Sequence, residues 1–406
     1  MRRRDLFKAA GAVPFLFGPS AWAAISNEGT SRLIVILLRG AVDGLSVVIP
    51  YADGAYYRER QSIAIASPGK PDGALALDGH FGLHPALASL LPLWAERRLA
   101  FVHAAGSPDP TRSHFDAQLY VENGTPGEAT TRDGWLNRLL LALPGPRGAT
   151  DAIGVGPTVP RILAGKAPVA TLPLGPNGTQ PLPIDQPQIA SAFDRLYSGN
   201  DDLARSYREG RTARAQLIGA LSKERIIADN GAPPPTGFPG QAARLAQLIR
   251  RHPAVRVAAI GLGGWDTHIN QGNYKGQLAD HLRPLGEGLA ALARGSGDAW
   301  RDTVVIILSE FGRTFRENGN RGTDHGHGNV IWVLGGSITG GRIYGDWPGL
   351  APAQLYQRRD LAVMTDFRSV LATVLERHMR LGDRQLEAVL PGAPPATKDL
   401  AQVIPG

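Results

Sequence analysis

The sequence predicts an α/β fold built on a mostly parallel sheet. Three observations carry this expectation. Five short runs rich in Val, Ile and Leu recur along the chain, helical patterns lie between them, and 406 residues at 43% hydrophobic content can bury a large core.

In chain order, "RLIVILL" (32–38) is the first expected strand, with no polar face. "HPALASLLPLWAERR" (84–98) has helical spacing and leads into the second strand, "LAFVHA" (99–104). "SHFDAQLYVENG" (113–124) reads as a helix with Ser113 at its N-cap and Asp116 in its first turn. Further on, the helical pattern "QAARLAQLIRR" (241–251) precedes the strand "VRVAAIGL" (255–262). "QLADHLRPLGEGLAALAR" (277–294) is helical, "TVVIILS" (303–309) and "VIWVLG" (330–335) are strands, and "DFRSVLATVLERHMR" (366–380) is a helix. The strands are apolar on both sides, as in a sheet covered on both faces.

Between the second and third strands the composition changes. Residues 151–190 are rich in Pro and Gly, 191–232 are polar with helical character, and "NGAPPPTGFPG" closes the stretch at 230–240. An insertion or cap is expected at about 151–240. Gly 50 and Pro 32 make up roughly a fifth of the chain, against about an eighth in average proteins, so loops are extensive. Loops on a rigid scaffold are where sites tend to sit. There is no internal repeat.

Residues 1–23, "MRRRDLFKAAGAVPFLFGPSAWA", combine a basic start, an apolar middle and the A-x-A pattern of Ala21-Trp22-Ala23. This is the expected form of a cleaved leader, leaving 24–406 as the mature domain. Arg3-Arg4 followed by Leu6-Phe7-Lys8 fits a twin-arginine signal, so the export machinery is an expected partner and the periplasm or exterior the expected destination. The apolar middle is too short and too broken for a membrane span, and none is expected in the mature chain.

The formal charge is +7, and Arg2, Arg3, Arg4 and Lys8 against Asp5 place +3 of it in the leader, leaving about +4. A balance so mild and evenly spread argues against a nucleic-acid partner. With no cysteine, disulfides and thiolate metal sites are excluded. A metal would be held by His, Asp, Glu or hydroxyl oxygen.

In open parallel sheets, ligands bind beyond the carboxyl ends of the strands. After 32–38 comes Asp43; after 99–104 come Thr111, Arg112, Ser113, His114 and Asp116; after 255–262 come Asp266 and His268; Glu310 ends 303–309; and "RGTDHGHGN" (321–329) follows with Asp324, His325 and His327. Asp43 before Gly44 is also an ordinary turn residue, and Ser113 also an ordinary cap. In an extended segment Asp266 and His268 would face one way, and so would His325 and His327. Such pairs suit zinc, or manganese if oxygen ligands dominate. Glu310, ending an apolar run, must be paired or a ligand, since burial alone would cost several kcal/mol. His80, His84, His252, His281 and His378 lack a partner pattern and read as packing or surface residues.

The leader together with "LLRGAVDGLSVVIPY", "FGLHPAL", "PTRSHFDAQ", "GGWDTH" and "LSEFGRT…GTDHGHGN" resembles the bacterial domain of unknown function family 1501, over nearly the whole mature chain. That family is placed with the alkaline phosphatase and sulfatase superfamily. The resemblance implies a three-layer α/β/α sandwich whose strand ends hold one or two divalent metals around a Ser or Thr nucleophile. It makes Asp43 the first-strand ligand, Ser113 the nucleophile with Thr111 as second choice, Asp266 and His268 the next ligands, and His325 or His327 the late histidine. Superfamily enzymes present Asp-His where this chain has Glu310-Phe311, so Asp324 and His325 are expected to supply that pair from the adjacent loop. The "WDTH" spacing is also shorter than the superfamily's.

The expected function is an exported, metal-dependent hydrolase of a small-molecule or polymer phosphate or sulfate ester, with Arg39, Arg112 or Arg313 clamping ester oxygens. The alternative is an exported binding or assembly protein that keeps the fold and a metal but lacks turnover. Activity on an ester panel separates the two.

Overall fold

The computed structural model describes residues 31–145, 148–156, 158–172, 187–212 and 237–405. The expected leader lies outside them. All five apolar runs are strands of one nine-stranded sheet. Its strands are β1 Arg32–Leu38, β2 Leu99–Gly106, β3 Ala152–Val155, β4 Ala170–Leu172, β5 Val257–Leu262, β6 Thr303–Leu308, β7 Asn329–Gly335, β8 Arg342–Tyr344 and β9 Thr365–Asp366. They lie in the order β8-β2-β7-β6-β1-β5-β3-β4, and β9 also pairs β2.

β3 and β4 fall inside the stretch expected as an insertion at about 151–240. They are short and flanked by Gly and Pro, so composition hid them; both extend the sheet in parallel beyond β5.

Alternation along β1 shows why the runs are apolar on both sides. Ile34, Ile36 and Leu38 enter one core with Leu245, Leu248 and Ile249 of α3 (Gly237–Arg251) and Leu278, Leu282 and Leu285 of α4 (Gln277–Gly295). Leu33, Val35 and Leu37 enter the other. There they meet Trp135, Leu136 and Leu139 of α2 (Trp135–Ala142) and Phe367, Val370 and Leu371 of α5 (Phe367–Arg377). A helix layer on each face makes the three-layer α/β/α arrangement. Each such aliphatic side chain contributes roughly 1.5–3 kcal/mol through burial.

The expected helix at 84–98 divides into a 3-10 segment, Pro85–Leu90, and a short α-helix, Leu91–Ala95. Pro85 and Pro92 each sit in a first turn, where the missing N–H costs nothing, and Leu87 leaves helical geometry between them.

β7 runs antiparallel to both β2 and β6. No crossover helix separates β6 from β7, so the chain must turn back at the edge where β6 ends. That return loop, 309–328, therefore stays at the carboxyl edge of the parallel strands. The loops leaving β1, β2 and β5 emerge at the same edge, because β1, β2, β5 and β6 all point one way.

Candidate metal centre

Three histidines and one aspartate converge at that edge. His114 opens α1 (His114–Asn123) after β2, Asp266 and His268 follow β5, and His325 comes from the return loop. His325 Nε2 stands 2.9 Å from His114 Nε2 and 3.0 Å from His268 Nε2. Asp266 Oδ1 lies 2.9 Å from His268 Nε2, 3.4 Å from His325 Nε2 and 3.6 Å from His114 Nε2. The ligand atoms of His114, Asp266 and His325 all fall within 4.8 Å of one another.

The outer nitrogen of each ring is held from behind. His114 Nδ1 meets Glu310 Oε1 at 2.7 Å, His268 Nδ1 meets Asp324 Oδ1 at 3.1 Å, and His325 Nδ1 donates to the Arg112 carbonyl at 2.9 Å. Such partners fix tautomer and ring orientation for metal-ligating histidines. With the outer nitrogens so engaged, the three Nε2 atoms face inward around Asp266 Oδ1, and Arg313 closes one side, donating to Asp266 at 2.6 Å and standing 3.5 Å from His268 Nε2. A divalent cation fits among His114, Asp266 and His325, with His268 beside them. Ligands at 2.0–2.1 Å on a tetrahedron stand roughly 3.3 Å apart, and the separations among His114, Asp266 and His325, 2.9, 3.4 and 3.6 Å, bracket that value. These three residues fit a metal ion.

Electrostatics follow the same geometry. The hydrogen bond to Glu310 raises the His114 pKa against the opposing effect of burial. Burial, then the neighbouring His114 charge, lowers that of His325. Burial would raise Asp266, but Arg313 and His268 beside it hold it below the usual carboxylate range. The buried Arg313 donates to Asp266 Oδ1 at 2.6 Å. Glu310 is also lowered: burial opposes, and the bonds from His114 and Gln118 prevail. The Asn318 amide, and then the His268 ring, hold Asp324 low.

The glycines of the return loop serve close packing. A Cβ at Gly326 would sit 2.3 Å from the Arg313 carbonyl carbon, one at Gly328 2.6 Å from the Ala362 oxygen, and one at Gly312 1.8 Å from the Gly328 oxygen. The "GTDHGHGN" backbone is thus wedged among its neighbours, and His325 is presented by a packed loop.

Asp266, His268 and His325 of the expected ligands are brought together, with Asp324 and Glu310 behind them. Asp43 stands apart. Its buried carboxylate is taken up by Arg60, by the Ser46 hydroxyl at 2.7 Å and by the Gln271 amide at 2.7 Å. His327 also stands apart, stacked on Tyr356 with ring centroids 4.4 Å apart. Residues 323–328 are not a strand, so the two-residue spacing does not put both histidines on one side. Ser113 caps α1, its hydroxyl accepting from Asp116 N at 3.4 Å, while Thr111 Oγ1 accepts from Ser113 N. The Arg112 guanidinium is held by Asp360 and Gln357.

His114 is the site residue that sequence reasoning named at the strand-end edge but gave no ligand role, because Ser113 drew attention as cap and hydroxyl. A histidine in the first turn of a helix that starts at the carboxyl edge of a parallel sheet was the available signal. The first turn lies where strand-end ligands gather.

Fold and site together define an α/β/α protein with a cluster of metal-ligating side chains, His114, Asp266 and His325, at its strand ends. The chain belongs to the protein family of unknown function DUF1501, which it matches over residues 30–390. No curated protein sequence matches it. Among solved structures it is similar to the lipoteichoic acid synthase LtaP from Listeria monocytogenes, at 10% identity and TM-score 0.40, covering 93% of this chain and 77% of that one. It is similar to Ps i-CgsB in complex with k-i-k-neocarrahexaose, at 9% identity and TM-score 0.43, covering 92% and 76%. A third likeness is to a protein in the alkaline phosphatase superfamily from Vibrio parahaemolyticus, at 10% identity and TM-score 0.35, covering 78% and 62%.

Proposed function

We propose that this protein is an exported, zinc-dependent hydrolase of a phosphate or sulfate ester. The observation that carries the metal is the convergence of three Nε2 atoms and one carboxylate oxygen, each ring backed by an acceptor. Nitrogen donors outnumber oxygen, which favours zinc over manganese. The four side chains remain 26–44% exposed, which suits a centre that a substrate reaches rather than a closed structural site.

A divalent ion held there supplies Lewis acidity, acidifying a hydroxyl or water and offsetting charge on the transferring group. The chain's own residues do the rest. Arg313 lies against the centre and sets Asp266. Phe115 and Ile269, 82% and 60% exposed, directly follow His114 and His268 and offer apolar surface for the organic part of an ester. Ser113 remains the proposed nucleophile, one residue before His114. Its role as a cap favours the second reading, a metal-holding protein without turnover.

The Arg3-Arg4 leader supports twin-arginine export, and among the described residues no helix is long and apolar enough to cross a membrane. Lysine at both arginine positions should retain the precursor in the cytoplasm; undiminished secretion would exclude that route. For activity, zinc-loaded protein is assayed on phosphate and sulfate monoesters and diesters beside Ser113→Ala and His114→Ala. Turnover lost in both variants supports the hydrolase reading with Ser113 attacking. No turnover in zinc-loaded wild type supports the binding reading.

A further inference from the structure

Behind the metal centre lies a second polar cluster, wholly buried, which joins the two loops that carry most of its ligands. Gln271 is at its middle. Its Oε1 accepts from Thr267 Oγ1 at 2.8 Å and from Thr323 Oγ1 at 2.9 Å, and its Nε2 donates to Asp43 Oδ2 at 2.7 Å. Thr267 lies between Asp266 and His268, and Thr323 immediately precedes Asp324 and His325. One amide oxygen therefore holds a residue of each of the two loops, Thr267 beside Asp266 and His268, and Thr323 two residues before His325. All three side chains are fully buried.

The orientation of that amide is set from the far side. Burial opposes the charge of Asp43, but Arg60, Ser46 and Gln271 all donate to its oxygens and hold its carboxyl low, so those oxygens accept and face the NH2 group. Arg60 in turn uses its donors on Asp43, Ser46 Oγ, Thr314 O and Phe315 O, which anchors the start of the return loop to the same point. Backbone bonds close the seam: Thr323 N donates to Thr267 O at 3.1 Å and Gln271 N to Arg321 O at 2.9 Å. A Cβ at Gly322 would approach the His268 carbonyl to 2.3 Å, so the loops also touch directly.

We infer that Gln271 is a positioning residue of the metal centre: oriented by the Asp43–Arg60 pair, it fixes the register of the loop bearing Asp266 and His268 against the loop bearing Asp324 and His325. Asp43 acts through Gln271 and binds no metal itself. This inference rests on the metal reading above. It differs from a general packing role in predicting a change in the metal's own coordination, because only the relative placement of His268 and His325 is loosened when the hydroxyls are removed.

The test uses the full chain and two metal probes, Zn2+ in competition with a chromophoric chelator and Co2+ read by its visible absorption. In Thr267→Val/Thr323→Val, shape is kept and both hydroxyls are lost. Zinc affinity should fall about 10- to 100-fold, as for loss of groups that orient metal ligands, and the Co2+ spectrum should change in position or intensity. Thr267→Ser/Thr323→Ser restores the hydroxyls and should return both readouts to wild type. The single Thr323→Val variant keeps one bond to Gln271 and serves if the double variant does not fold; it should show an intermediate loss. Folded Val variants with wild-type zinc affinity and an unchanged Co2+ spectrum would overturn the positioning role and leave the metal centre standing. A wild-type chain that binds neither probe would overturn the metal reading and this inference with it.

Discussion

Two clusters of charged side chains sit one behind the other at the carboxyl edge of the sheet, and they use their charges in opposite ways. In the buried cluster, every oxygen of Asp43 meets a donor, and Arg60 finds acceptors in Asp43, Ser46 and two carbonyls. In the outer cluster, three imidazole nitrogens face one another around Asp266, to which Arg313 donates. The first is complete without a ligand, and the second is the site proposed for a cation. Residue type does not distinguish them, since both have an aspartate beside an arginine. The gathering of ring nitrogens at one point does.

The largest expected effect breaks the complete cluster. Arg60→Met leaves Asp43 buried without its counter-charge and should destabilise the chain by about 3–5 kcal/mol, measured by urea unfolding. Because the folded pKa of Asp43 is depressed, its contribution is present above the unfolded value of about 3.9 and is lost as pH falls through the folded value. Asp43→Asn should therefore flatten the acid limb of the stability curve below about pH 4. An unchanged acid limb would show that Asp43 is not ionised in the folded state.

The outer cluster should respond to metal instead. Zinc at a hundred times its dissociation constant should stabilise wild type by about 2.7 kcal/mol, and a chelator should reverse it. A melting temperature indifferent to zinc would place this cluster with the first as self-sufficient.

A smaller contrast separates the two histidines of the return loop. His325→Ala should remove the zinc response, whereas His327→Ala should keep it and cost about 1 kcal/mol through the lost stack on Tyr356. The smallest effect belongs to Ser113→Ala: its cap bond is long and exposed, so stability should fall by about 0.5–1 kcal/mol with zinc retained.

Much of this was legible in the sequence, for reasons that also mark where legibility stops. Runs such as "RLIVILL" announce buried strands because both faces of β1 are covered. The direction of β7 is not in its own residues but in the missing crossover before it, and β3 and β4 are too short to carry a pattern. Asp266, His268 and His325 could be found because strand ends gather ligands. His114 was hidden by its neighbour's capping signal. Asp43 looked like a ligand because its partner Arg60 is 17 positions away, on a loop whose return to the site no local spacing foretells.

The most direct test of the metal centre is zinc content of purified wild type, His114→Ala and His327→Ala after dialysis against a weak chelator. His114 received its ligand role from the geometry, so its loss is the sharpest probe. Stoichiometric zinc in wild type and His327→Ala, with none in His114→Ala, is the result predicted here. Equal zinc in all three, or zinc absent from wild type, would contradict it.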